Sequence, residues 1–117
     1  MASLGISKEY ASIEPIVSKL YNSKLRIAIL DALTNGPMRL ADLKRAVDAN
    51  APNTSSKAKD LEEMGMLIRG NEGYRITPYG AMALEKLKGT LDYHTVYEEF
   101  KEFWNERGLL KASRLNF

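Results

Sequence analysis

Cysteine is absent from the 117 residues, which excludes disulfides, thiolate metal sites and cysteine nucleophiles. Histidine is almost as scarce. The single His94 has no second histidine for a His-pair zinc site or a histidine relay. No apolar run approaches the roughly 18 residues of a membrane span, and Met1-Ala-Ser-Leu-Gly-Ile-Ser lacks the charged-then-apolar layout of a signal peptide. No glycine-rich loop follows a strand, so there is no phosphate cradle. Glu62-Glu63 and Glu98-Glu99 read as solvated charges, and Ser56-Lys57 are adjacent helix residues that diverge in direction rather than a catalytic dyad. An excess of either charge is also missing, because 17 Lys and Arg against 15 Asp and Glu leave only +2. What is present is 44% hydrophobic and 27% charged, the balance of a globular chain with one core. These absences predict a cytoplasmic, non-enzymatic protein of one domain over 1–117, without metal, cofactor or membrane contact.

Order along the chain is more informative. Residues 1–11 show no periodic pattern and predict a frayed or docked terminus. Ser12 and Pro15 suit a helix cap and first turn, followed by Ile13, Ile16, Val17 and Leu20 on one helical face. A second helix starts at Asn22 or Ser23 and stops at Asn35-Gly36-Pro37. Its apolar residues cover more than one stripe, so neighbours are expected on both sides. Leu40, Leu43 and Val47 mark a short third helix, and Asn50 caps a fourth from about Pro52 to Met64. That fourth helix has a thin apolar stripe of Ala58, Leu61 and Met64, with Thr54 on the same side, and a wide polar face. The period then drops to two in Met66–Arg69 and Tyr74–Thr77, joined by Gly70-Asn-Glu-Gly73, which predicts a β-hairpin. Thr77-Pro78 opens another helix with an expected break at Gly89, and a last helix covers about Leu91 to Arg107.

Five segments carry a family resemblance: Ser23-Lys-Leu-Arg-Ile-Ala-Ile-Leu, Asn35-Gly-Pro, Leu40-Ala-Asp-Leu-Lys, Leu61-Glu-Glu-Met-Gly-Met-Leu and Tyr74-Arg-Ile-Thr-Pro-Tyr-Gly. In this order they resemble the winged helix-turn-helix regulators grouped around the ArsR, MarR and PadR families, most of all the small archaeal regulators of that type. The last two segments are the most telling, since in such domains they end the recognition helix and close the wing. The resemblance implies a mainly α fold with a small β-hairpin and extra N- and C-terminal helices. It also implies a transcriptional regulator with double-stranded DNA as partner. Metal-sensing ArsR members use Cys or His clusters, a pattern this chain lacks.

The residue chemistry agrees. In a helix-turn-helix the second helix enters the major groove by its N-terminal residues. Here Asn53, Thr54, Ser55, Ser56, Lys57 and Lys59 fill the early turns, while Glu62 and Glu63 would repel phosphate at the far end. Arg69, Asn71 and Arg75 on the hairpin are candidates for phosphate or minor-groove contact. Arg39 precedes the first helix of the motif, and Lys44 and Arg45 lie on it. Residues 19–59 hold eight basic and three acidic residues, a local balance of +5 that the total conceals. On charge alone these residues could equally form solvated faces.

Five of the ten aromatics lie between Tyr93 and Trp104. Leu91, Tyr93, Val96, Tyr97, Phe100, Phe103 and Trp104 form a broad apolar face on the last helix. With Ile13, Ile16, Val17 and Leu20 it is the expected homodimer surface. The expected layout is a winged core over 22–88 flanked by dimerising helices 12–21 and 91–107. The alternative reading is a winged-helix module for protein–protein contact through the aromatic helix, without DNA; RNA binding is a third. No residue pattern names a small-molecule effector.

Overall fold

A computed structural model describes the backbone of residues 2–106 and the side chains of 5–101 and 103. It contains α1 (Ala2–Tyr21), α2 (Lys24–Ala32), a 3-10 turn (Leu33–Asn35), α3 (Leu40–Ala46), α4 (Ala51–Glu63), β1 (Leu67–Gly70), β2 (Gly73–Ile76) and α5 (Pro78–Glu106). The chain divides into two units, Met1–Leu84 and Glu85–Phe117, with α5 belonging to both.

Two expectations are corrected at the termini. The first helix begins at Ala2, not at Ser12. Ile6, Tyr10, Ile13 and Val17, spaced four, three and four, extend the apolar stripe upstream of the expected cap. Ser12 is therefore interior, and its hydroxyl donates to the Glu9 carbonyl at 2.7 Å. Pro15 also lies within the helix, on its exposed side. At the other end, α5 passes through Gly89 without a break. A single helix glycine costs only about 1 kcal/mol, less than a long helix can absorb. The expected helix end at Arg107 lies outside the described residues.

Sequence signals at the other ends act as anticipated. The Ser23 hydroxyl accepts from Arg26 N–H at 3.2 Å, and the Asn50 side chain accepts from Asn53 N–H at 2.8 Å. Helix α4 ends in a Schellman arrangement: Gly65 N–H donates to Glu62 C=O and Met66 N–H to Leu61 C=O. Leu61 and Met66 are both buried, supplying the apolar contact of that motif. The Thr77 hydroxyl then donates to Gly65 C=O at 2.7 Å and accepts from Gly80 N–H at 3.1 Å. One side chain thus joins the end of α4 to the start of α5. A Cβ on Gly80 would stand 2.3 Å from the Met66 carbonyl oxygen, so glycine at this place in the motif is a packing requirement.

The core of the first unit gathers Leu20 of α1, Ile29, Leu30 and Leu33 of α2 and its 3-10 extension, and Leu43 of α3. Ala58 and Leu61 of α4 with Met66, Leu67 and Tyr74 of the wing complete it. Helix α2 is packed by α1, α3 and α4, which accounts for its double apolar stripe. In the wing, β1 and β2 pair antiparallel from Leu67–Ile76 to Gly70–Gly73. The turn is therefore Asn71-Glu72, with the two glycines forming the last rung. Met38 adds a one-residue third strand, accepting from Tyr74 N–H at 2.8 Å and donating to Tyr74 C=O at 3.0 Å.

In the second unit, Thr90 and Thr95 hydroxyls return to the carbonyls of Lys86 and Leu91. Lys101 lies 3.0 Å from Glu98, and its hydrogen bond and charge hold the Glu98 carboxyl below the usual range. No described helix is long and apolar enough to cross a membrane.

Candidate nucleic-acid interface

Helices α3 and α4 are joined by a tight turn, and α4 presents one side to the core and one to solvent. Thr54, Ala58 and Leu61 form the inner line and are fully buried. Asn53, Ser56 and Lys59 are exposed, and Ser55 and Lys57 are half-buried on its flanks. Five of the six α4 residues expected at the interface thus lie at the surface or on its flanks. Thr54 is corrected. It occupies the apolar stripe, its hydroxyl donates to the Asn50 carbonyl at 2.8 Å, and it cannot reach a ligand outside. A threonine can satisfy its hydroxyl on the preceding turn and so pass as apolar.

Asp60 is the first acidic residue of α4, and it is not free to oppose a polyanion. Arg26 donates to it from two nitrogens, at 3.1 and 2.6 Å, and Lys19 stands 4.0 Å away. The Arg26 hydrogen bond is the main cause that holds the Asp60 carboxyl below its usual range, with the charges of Arg26, Lys19 and Lys57 assisting against desolvation. Its side chain is therefore anchored to α2. Glu63 is exposed in the last turn, and Glu62 is half-buried.

The wing stands beside the N-terminus of α3. Arg39, Arg69, Asn71 and Arg75 are all exposed, but their surroundings differ. The Arg39 guanidinium donates to the Asn71 carbonyl at the hairpin tip, 3.1 Å away. Arg69 lies over the ring of buried Tyr74, 5.4 Å from its centroid. Arg75 has no such partner among the described residues. On α3, Arg45 pairs with Asp42 one turn earlier, and Lys44 is half-buried.

The other expected surface is only partly external. Leu20 is corrected: it is 2% exposed and belongs to the core of its own unit. Ile16 and Val17 are half-buried, and Ile13 is exposed. Ile6, 70% exposed, and Tyr10 lengthen the α1 apolar stripe into the segment 1–11, where a spacing of four and three is too short to stand out as a period. On α5, Leu91, Tyr93, Val96, Phe100 and Phe103 are exposed and Tyr97 is half-buried. The Trp104 side chain lies outside the described residues.

The family model for the methanogenesis regulatory protein FilR1, N-terminal domain, matches residues 14–94. Among solved structures, the chain is similar to the transcriptional regulator BldR from Sulfolobus solfataricus, with 25% identity and a TM-score of 0.58 over 97% of this chain and 89% of that one. The multiple antibiotic-resistance repressor MarR from Listeria monocytogenes is similar at 16% identity and TM-score 0.62, over 99% of this chain and 94% of that one. MepR, a regulator of the Staphylococcus aureus efflux pump MepA, aligns at 14% identity and TM-score 0.60, over 98% and 96%. No curated protein sequence matches the chain.

Proposed function

The chain belongs to the FilR1 N-terminal domain family and is a winged helix-turn-helix transcription regulator, and on that premise we propose how it acts: as a dimer that reads duplex DNA. Helix α4 lies in the major groove through Asn53, Ser55, Ser56, Lys57 and Lys59. The wing, over 67–77, lies along the backbone or minor groove with Arg75 foremost and Arg69 behind it, while Arg39 braces the hairpin tip through the Asn71 carbonyl. The observation that carries this reading is the exposed side of α4, where polar and cationic groups run through the first turns with no acidic residue before Asp60. Phosphate neutralisation by these cations supplies the bulk of non-specific affinity, and the groove face supplies discrimination.

Self-association is the second half of the proposal. Ile6, Tyr10 and Ile13 on α1 and Leu91, Tyr93 and Val96 on α5 are exposed apolar groups, each costly to leave in water. We assign residues 22–88 to DNA contact and the flanking helices to dimer contact. A two-fold dimer would engage half-sites about one helical turn, roughly 34 Å, apart.

Titrating labelled duplex against rising salt tests the first half. Binding around the micromolar range or tighter that weakens steeply with salt is the expected result. Absence of duplex binding at low salt overturns it and leaves the exposed apolar helices as a protein-contact module. Light scattering tests the second half. A mass near twice 13.1 kDa is expected, and a monomer at high concentration overturns it.

A further inference from the structure

Asn53 occupies the third helical position of α4, and its own backbone N–H is taken by the Asn50 cap. At this position a Glu or Gln commonly reaches back to the cap's N–H. The Asn53 carboxamide makes no such bond; it is exposed and has no partner among the described residues. Its oxygen and its two N–H donors are therefore both open. The neighbouring polar groups differ. Thr54 is spent on the Asn50 carbonyl. Ser55 and Ser56 offer single hydroxyls, which accept or donate and distinguish bases poorly. Lys57 and Lys59 are donors only, suited to phosphate or to guanine acceptors.

The major-groove edge of adenine presents an acceptor at N7 beside a donor at N6, and a planar carboxamide is the side chain that meets both at once. In the exposed early turns of α4 only Asn53 carries that donor–acceptor pair. Its place in the first turn is where a recognition helix approaches base edges, and Glu63 in the last turn keeps the other end away from the backbone. We propose, resting on the docking of α4 described above, that Asn53 reads one adenine in each half-site and is the main determinant of sequence preference.

Selection of binding sites from random duplexes by the full chain and its Asn53→Ala and Asn53→Asp variants tests this. The wild type should select adenine at one position per half-site. Asn53→Ala should lose that preference by roughly 5- to 150-fold at that position alone. Asn53→Asp keeps the size but only accepts, so preference at the same position should move from adenine to cytosine. Replacing the selected adenine by 7-deazaadenine should weaken the wild type and leave Asn53→Ala unaffected. If Asn53→Ala keeps the adenine preference, or the wild type binds DNA without one, this inference is overturned while the DNA-binding reading stands. If the wild type binds no duplex, the reading beneath it fails and this one with it.

Discussion

The guanidinium of Arg26 donates twice to one oxygen of Asp60, from Nε at 3.1 Å and from a terminal nitrogen at 2.6 Å, and once more to the Lys19 carbonyl at 2.6 Å. The two side chains are 13% and 24% exposed. One arginine of α2 therefore fixes the last turn of α1 and the second half of α4 together. The contact orients the candidate recognition helix without touching its outer face.

Asp60→Asn should destabilise the fold by about 1–3 kcal/mol at neutral pH, because the half-buried guanidinium loses its charged acceptor. The pH dependence has a definite sign. Asp60 has a folded pKa below its usual value, so its contribution is complete above about pH 4 and is lost as pH falls through the folded pKa. Urea unfolding at pH 7 and pH 3 should show the variant and wild type converging in acid. A constant difference between them would remove the carboxylate from the explanation.

The two glycines of the hairpin look alike in sequence and differ in space. A Cβ on Gly70 would meet nothing within 4 Å, whereas on Gly73, with φ +107°, it would stand 2.4 Å from the Met38 carbonyl oxygen. Gly73→Ala should therefore cost about 2 kcal/mol or more through strain and lost wing pairing, and Gly70→Ala should be nearly neutral. Parallel denaturation curves decide it, and equal effects would contradict the close approach of Met38.

Helix α3 ends as α4 does, with Asp48 N–H on Arg45 C=O and Ala49 N–H on Lys44 C=O, but its left-handed residue is Asp48 at φ +53° rather than glycine. Asp48→Gly should stabilise by about 0.5–1 kcal/mol, the relief of left-handed strain less the entropy of glycine. A thermal melt should move up by a few degrees. A fall would show that the Asp48 side chain supports the turn in a way the backbone does not require.

Local punctuation explains how far the sequence carried. Ser23, Asn50, Thr77-Pro78, Gly65 and Gly70–Gly73 act over three or four residues, so their element ends were legible. Thr54 was legible too, since it lay on the stripe of Ala58 and Leu61, but its residue type suggested a ligand contact. What was not legible is long-range. The Arg26–Asp60 pair spans 34 residues. The Met38 strand is a single residue after a proline, too short to show a period. The N-terminal half of α1 was missed because its 4-3-4 apolar spacing began before the residue that looked like a cap. Gly89 misled in the other direction, because helix propensity is a weak prior.

Arg39 reaches the wing rather than its own helix. Its side chain does not cap α3; it crosses to the wing tip and donates to the Asn71 carbonyl at 3.1 Å. Met38, the residue before it, already pairs with Tyr74 in β2, one residue from the Gly70–Gly73 rung, so Arg39 and its neighbour together hold the tip end of the hairpin. A phosphate contact would depend on charge, and a tether would depend on an N–H donor. Arg39→Ala should thus speed amide exchange at Asn71-Glu72 and weaken duplex binding several-fold. Arg39→Gln, which keeps a donor without the charge, should restore most of both. The slope of log affinity against log salt should change by clearly less than the ~0.9 lost with one phosphate contact. Equal losses in both variants, with a full unit of slope gone and the tip amides unchanged, would make Arg39 a direct phosphate ligand and leave the wing held by Met38 alone.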